Sequence, residues 1–380
     1  RSTPLYSSAA SDVYKRQEVE SMTLFDADQD GDLDLYLVSG GNQFEAGSEL
    51  YDDRLLINDG YGNYVNDLKR IPNLNANGCV VRPIDYDLDG DIDLFIGGHN
   101  KPGSYPLADK SYLLNNNNGY FEDFTNSVLP NLDQFGLVTD AQWADLNKDG
   151  RKDLILVGEY SPIAIFLNLN NGFQRLSSEI LDEAMGLWRC IEVIDYDNDG
   201  DLDLLLGNLG KNNMLSVSSK SPLIISTRDL DKNGSVDPLM FNSQQNKNGE
   251  WDMFPVQFWD NLTQQSPLFR KEFSSYHAFS KANMNYYLEK EFLIKDSLLL
   301  AKHDTSKWLE NLGSNTFKLN TLPDPLQLGP INDFLVIETA EDQSVFVIGN
   351  DFEEKLNFSN PIAVEFRLVS AGVRICFKLS

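Results

Sequence analysis

The polar and apolar positions of the chain fall into one recurring unit. Acidic or amide residues alternate around a glycine and lead directly into a short apolar run. The second copy is the clearest, with Asp85, Asp87, Asp89, Gly90, Asp91 and Asp93 followed by Leu94-Phe95-Ile96 and a glycine pair. Further copies begin at Asp26, Asp145 and Asp195, and a weaker one at Asp229. The runs Leu35–Val38, Leu94–Ile96, Leu154–Val157 and Leu204–Leu206 have the length and bounding residues of buried strands, not helices. Each loop is therefore predicted to join two strands.

Loop starts are separated by 59, 60, 50 and 34 residues. A period near 50 to 60 with several short strands per unit indicates a propeller-like array. In the second unit, strands are predicted over Cys79–Ile84, Leu94–Ile96, Ser111–Leu114 and Tyr120–Phe124, with the turn Asn115–Gly119 before the last. The first unit matches through Leu55–Gly60 and Tyr64, the third through Ile163–Leu169 and Asn170–Phe173. Asn-Gly and Asp-Gly are strong hairpin turns. The fourth unit looks compressed, with Asn213–Leu215 predicted as its third strand and Leu223–Thr227 leading into the fifth loop. Residues 255–305 lose the alternation and read as helical. Ser266-Pro267 forms an N-cap and first-position pair, and Phe269, Phe273 and Tyr276 fall on one predicted face. A sixth unit, Asn332–Asn350, keeps its strand but lacks the glycine and alternate acids, so a blade without metal is expected. The fold class is all-β: a β-propeller of four-stranded blades, six visible and seven expected in the intact protein, with a helical insertion.

The same pattern divides the chain. Residues 18–254 carry the loop-bearing blades, 255–305 the helical insertion within a blade, and 306–380 the remaining blades. Residues 1–17 are read as a non-native leader, because Ser7–Gln17 resembles translated sequencing-adapter sequence, and the C-terminus is expected to be truncated.

The chemistry lies in the loops. Acids at the first, third, fifth and ninth positions would repel one another without a cation. An all-oxygen set of this kind suits Ca²⁺, which accepts six to eight oxygens in flexible geometry, better than the rigid octahedron of Mg²⁺. The expected ligand sets are Asp26, Asp28, Asp30 and Asp34; Asp85, Asp87, Asp89 and Asp93; Asp145, Asn147, Asp149 and Asp153; Asp195, Asp197, Asp199 and Asp203; and Asp229, Asp231, Asn233 and Asp237. Position seven, which holds Asp32, Asp91, Arg151, Asp201 and Ser235, would add a backbone oxygen. Four to five Ca²⁺ ions are expected, the loops containing Asn147 and Asn233 being the weaker sites. An EF-hand is excluded, since its position twelve needs glutamate and here reads Leu37, Ile96, Leu156, Leu206 and Met240.

A net charge of −27 argues against nucleic acid as a partner, because binding a phosphate backbone needs a cationic footprint. Bound Ca²⁺ would offset part of that charge. Cys79, Cys190 and Cys376 show no metal spacing, and buried free thiols are expected. No apolar run is long enough to span a membrane. Weak Ca²⁺ sites fill where calcium is millimolar, so an extracytoplasmic location is expected. A monomer is expected.

With its loops, asparagine-glycine turns and period, the chain resembles the FG-GAP/VCBS repeat proteins, whose calcium loops are similar to those of the integrin α-subunit propeller. It is most similar to a bacterial group that often carries an ASPIC/UnbV domain, a module not visible here. The resemblance covers roughly residues 20 to 370, including the insertion from Phe254 to Leu298. It implies a seven-bladed, secreted or surface-attached propeller used for binding.

The expected function is thus a binding or adhesion scaffold for a protein or surface glycan, with structural rather than catalytic calcium. Tyr51, Tyr61, Tyr105 and Trp251 are candidate contacts, although core or turn packing is the expected role of each. The alternative is a propeller-type polysaccharide lyase or hydrolase. Its support is thin, because His99, His277 and His303 sit in no nucleophile or metal spacing and the aspartates already have a role. A third possibility is a purely adhesive matrix protein without a specific ligand.

Overall fold

A computed structural model describes residues 18–246, 248–338 and 343–349, and the strand backbones at 362–369 and 372–377. These residues are mostly β, arranged in antiparallel sheets. Contacts divide the chain into two compact units. The first holds the described residues up to Trp143 together with Asn168–Gln174, and the second holds Ala144–Leu167 and the described residues from Arg175 onward.

The first unit contains two complete four-stranded sheets. One runs β1 (Glu18–Phe25), β2 (Asp34–Gly40), β3 (Arg54–Asn58) and β4 (Tyr64–Asn66) in sequence order. The other repeats the order with β5 (Gly78–Ile84), β6 (Asp93–Gly98), β7 (Tyr112–Asn117) and β8 (Tyr120–Asp123). Phe25 pairs with Asp34 and Ile84 with Asp93, so each acidic loop is the connection between a first and a second strand. Second strands are the most apolar because both their faces are covered: every residue of β6 is buried. The outer strands β4 and β8 are largely exposed and carry polar residues. Tyr36, Val38, Leu55, Leu94, Ile96, Leu114 and Phe121 form the core. A short helix, α1 (Thr125–Val128), follows.

The third repeat comprises β9 (Leu137–Ala144), β10 (Asp153–Ser161), β11 (Ala164–Leu169) and β12 (Gly172–Arg175), then α2 (Glu179–Glu183) and the short β13 (Gly186–Leu187). β10 pairs antiparallel with β11 and with β13.

The fourth repeat differs from its sequence pattern. After β14 (Cys190–Ile194) and β15 (Asp203–Gly207), the predicted third strand Asn213–Leu215 is an irregular bend. Asn213 causes this locally: its amide donates to the Gly210 carbonyl at 2.7 Å and its side-chain oxygen accepts from Leu215 N–H at 2.7 Å. Such side-chain bonds compete with a strand ladder. The chain instead builds a separate sheet from β16 (Leu223–Ser226), β17 (Met240–Gln245), β18 (Trp251–Pro255) and, after four helices, β19 (Leu298–Ala301). The helices are α3 (Trp259–Gln265), α4 (Pro267–Glu272), α5 (Tyr276–Phe279) and α6 (Met284–Glu289). Only then do β20 (Lys307–Asn311) and β21 (Phe317–Thr321) complete the fourth sheet, with Leu205 opposite Trp308. The whole fifth repeat is thus inserted into the fourth. Its sheet runs β18-β17-β16-β19, and β19 lies within the stretch read as helical.

Ser266 caps α4 as expected, its hydroxyl accepting from Leu268 N–H at 3.4 Å. Phe269 and Phe273 are buried with Phe241 and Tyr287, but Tyr276 is not on their face. The helix stops at Glu272, so Tyr276 begins α5 and is exposed. A last sheet orders β22 (Asp333–Glu338), β23 (Gln343–Gly349), β24 (Ile362–Val369) and β25 (Gly372–Phe377). Of the predicted metal-free loop Glu338–Ser344, Glu338 ends β22, Gln343 and Ser344 begin β23, and residues 339–342 lie outside the described residues, as do the leader 1–17 and the side chain of Cys376. Cys79 and Cys190 are free thiols.

Two packing constraints are testable. A Cβ on Gly207 would stand 2.4 Å from Cys190 Sγ and 2.5 Å from the Ile331 carbonyl oxygen, so only glycine lets these chains approach. Gly207→Ala is expected to lower stability by about 1–3 kcal/mol, read from the urea midpoint. Asp53 is buried, accepting from Tyr36 Oη at 3.0 Å and Ser39 N–H at 2.9 Å. Burial raises its carboxyl to about 7. The native state therefore keeps a proton that the unfolded chain has lost, and the stability from Asp53 is full at low pH and lost as pH rises through about 7. Asp53→Asn removes this titration, so the stability of the native chain relative to the variant should fall between pH 4 and 7.5. A difference that is flat or rises with pH would refute the assignment.

Candidate metal centres

The five acidic loops share one local geometry. At position one, both carboxylate oxygens accept backbone N–H groups from positions five and six. Asp30 and Gly31 donate to Asp26, Asp89 and Gly90 to Asp85, Asp149 and Gly150 to Asp145, Asp199 and Gly200 to Asp195, and Asn233 and Gly234 to Asp229, at 2.8–3.2 Å. The position-five oxygen accepts from position seven at 2.8–3.1 Å, from Asp32, Asp91, Arg151, Asp201 and Ser235.

Position nine is the buried anchor: Asp34, Asp93, Asp153, Asp203 and Asp237 are all at most 2% exposed. Each accepts the position-two N–H of its own loop, from Ala27, Tyr86, Leu146, Tyr196 and Leu230, at 2.8–3.2 Å. In three repeats the other oxygen accepts a third-strand N–H at 2.8 Å, from Asn58, Asn116 and Asn311. Burial pushes Asp93 up to about 7 and Asp203 up to about 6, and it raises Asp34 and Asp237 as well. In each case backbone N–H donors offset part of the cost, while neighbouring loop carboxylates add to it. A nearby cation would reverse that repulsion.

The expected carboxylates converge in four loops. Oxygens of Asp26, Asp28 and Asp34 lie within 4.8 Å of one another, as do those of Asp85, Asp87 and Asp93, of Asp195, Asp197 and Asp199, and of Asp229, Asp231 and Asp237. Position five joins its group in the fourth loop, and position nine in the other three. Among the described residues, the third loop brings no three carboxylates together. There Asn147 replaces an acid and donates to Asp149 Oδ2 at 3.0 Å.

The donor set fits a hard cation. It consists of oxygen alone, and in the first loop Asp28 Oδ1 and Asp32 Oδ1 are buried with no hydrogen-bond partner. Arg70 holds the other oxygen of Asp28 at 2.9 Å and lies 5.4 Å over the Tyr120 ring, so this loop already has one positive neighbour.

Three features escaped the sequence reading. The third-strand asparagines Asn116, Asn168 and Asn311 donate side-chain N–H groups to the Ala27, Tyr86 and Leu146 carbonyls at 2.8–3.0 Å, each binding its repeat to the loop before it. Their signal was present as an asparagine two to four residues before each hairpin glycine, but it reads equally well as turn chemistry. Position-seven side chains also act outward: Gln29 donates to Asp91, and Lys148 pairs with Asp201. Finally, position four is left-handed in every copy, with φ of 59° at Gln29, 64° at Leu88, 59° at Lys148, 60° at Asn198 and 59° at Lys232. Side chains other than asparagine or glycine pay about 1–2 kcal/mol there. Leu88 is 59% exposed, so Leu88→Asn should relieve strain without loss of packing. A rise in stability of about 0.5–1 kcal/mol is expected in chemical denaturation; a loss would refute the strain.

Of the candidate contacts, Tyr51 is buried, its hydroxyl bonded to Phe44, while Tyr61 and Trp251 are exposed. Tyr105 is half-buried before a cis Pro106. His303 stacks on Trp188 with ring centroids 6.3 Å apart, and burial lowers its imidazole to about 4.

No curated protein matches the chain. Residues 85–156 and 145–206 match the family model described as an FG-GAP-like repeat. Each span runs from one acidic loop to the strand that leaves the next. With two such repeats in succession, the chain is an FG-GAP repeat-containing protein.

Proposed function

We propose that the chain is a calcium-stabilised β-propeller that acts outside the cytoplasm as a binding scaffold for a protein or glycan partner. The observation that carries this reading is the convergence of carboxylates in four loops of common geometry. The succession of four-stranded antiparallel sheets and the FG-GAP-like repeats support it further. Ca²⁺ would be held by Asp26, Asp28 and Asp34 in the first loop, by Asp85, Asp87 and Asp93 in the second, by Asp195, Asp197 and Asp199 in the fourth and by Asp229, Asp231 and Asp237 in the fifth. Asp30, Asp89, Asn233 and Asp203 would complete these sets. Asp145, Asn147, Asp149 and Asp153 would form the weakest site.

Bound calcium stabilises the native state because the unfolded chain lacks the assembled loop. The ion would neutralise the carboxylates that burial and mutual repulsion disfavour, leaving recognition to loops on a propeller face or to the helical insertion. No helix among the described residues is long and apolar enough to cross a membrane.

Thermal unfolding of the full chain in Ca²⁺, in Mg²⁺ and in chelator tests the reading. A calcium-specific rise is expected, with about 2.7 kcal/mol per site at a hundredfold excess over the dissociation constant. It should be roughly halved in the Asp87→Ala/Asp197→Ala double variant. Equal melting under all three conditions would refute calcium stabilisation.

A further inference from the structure

The inserted fifth repeat carries a feature that the acidic loops do not account for. One face of the β17–β18 ribbon presents Asn242, Gln244, Asp252 and Phe254, since Asn242 pairs with Phe254 and Gln244 with Asp252, and alternate residues share a face. With the helical segment this face lines an open groove of about 1080 Å³. That is slightly above the roughly 300–1000 Å³ usual for ligand pockets. Phe258 and Tyr276 line it from the helices and are 69% and 53% exposed.

The aromatic groups are held in place. Tyr276 meets Trp259 edge to face at 4.8 Å, and its hydroxyl donates to Asp260. Trp259 in turn donates its indole N–H to the Phe269 carbonyl at 3.4 Å. The backbone of Phe258 is placed as the N-cap of α3, its carbonyl accepting from Leu262 N–H at 3.1 Å. Two exposed rings would cost solvation free energy without a partner, and they stand here beside uncommitted amides. Asn242 is consumed internally by Ser216, but no hydrogen bond engages the side-chain amide of Gln244 or Asn248 among the described residues.

Charge narrows the ligand. The lining has one carboxylate, Asp252, held by Asn283 and the Met253 N–H, and one ammonium, Lys281. It therefore balances in a chain of net charge −27. With His277 as the remaining titratable group of the lining, such a surface has no cluster of cations to attract a polyanion and no excess of acid to attract a cation. It offers flat apolar faces with amide donors and acceptors beside them. The C–H faces of a pyranose stack on aromatic rings, and its paired hydroxyls match the donor and acceptor of one amide.

We propose that this groove binds a neutral oligosaccharide, with Phe258 and Tyr276 as stacking platforms and Gln244 as a hydroxyl-reading amide. The proposal rests on the scaffold reading and gives that scaffold its ligand class and its location. A groove of this volume suits several sugar units rather than one. An extended peptide would instead seek the backbone of the edge strand β18 and would not need Gln244.

The test is calorimetric titration of the calcium-loaded full chain with gluco-, manno-, xylo- and galacto-oligosaccharides, and with oligogalacturonate as the acidic counterpart. Saturable binding of at least one neutral oligosaccharide is expected, weakened about tenfold or more in Phe258→Ala and in Gln244→Ala. Leu68→Ala, which removes an exposed apolar side chain remote in sequence from the groove, should leave it unchanged. Melting in calcium accompanies each titration, so that a loss of binding is not mistaken for a loss of fold. A normal calcium shift without binding of any neutral oligosaccharide overturns the groove proposal and leaves the scaffold reading standing. Preference for oligogalacturonate, or binding that survives both groove substitutions, also overturns it. Absence of the calcium shift removes the scaffold reading and this proposal with it.

Discussion

The structure depends on a carboxylate buried at the end of each acidic loop. Asp34, Asp93, Asp153 and Asp203 begin second strands and Asp237 stands three residues before β17; all five lie out of solvent, yet each accepts a backbone N–H from its own loop. A buried charge is tolerable only when it is paired or hydrogen-bonded. These bonds make the loop and the strand one object: the carboxylate closes the loop, and in three repeats the loop presents the carboxylate to the third strand. The remaining acids then cluster above it. Their mutual repulsion is the cost of the arrangement and the reason a cation suits it.

The same asparagine that meets this carboxylate through its backbone reaches back through its side chain to the preceding loop. Asn116 bridges to Ala27, and Asn311 to Leu146. One residue thereby ties a repeat internally and to its neighbour, so the order of the loops is fixed by hydrogen bonds as well as by packing. The links from Gln29 to Asp91 and from Lys148 to Asp201 add electrostatic contact between successive loops. Occupancy of one loop would therefore bear on the geometry of the next.

The fifth repeat stands apart. It interrupts the fourth sheet between β15 and β20, and its helices bury Phe269, Phe273 and Tyr287 against Phe241 of its own sheet. Such an insertion keeps its own core, so it can expose a groove without weakening the sheet it interrupts. The interrupted sheet and the groove are in this way separable parts of one chain.

Much of this was legible in the sequence because it is local. The loop-to-strand pattern, the hairpin turns, the Ser266 cap and the aspartates that converge all follow from spacing within about ten residues. The left-handed fourth position was equally local but invisible, since Gln29, Leu88 and Lys148 are not residues that favour it. Non-local pairing was beyond reach. Asn213–Leu215 had the composition of a strand, but Asn213 bonds its own neighbours, and the place beside β15 went to Lys307–Asn311, about a hundred residues later. Phe269, Phe273 and Tyr276 shared a predicted helical face until the chain broke the helix at Glu272. The sequence by itself determined the repeating loop and its chemistry, because adjacent residues impose them. Which strands meet, and which aromatic rings remain in solvent, only the tertiary structure decided, because those outcomes depend on competition among distant segments for the same surface.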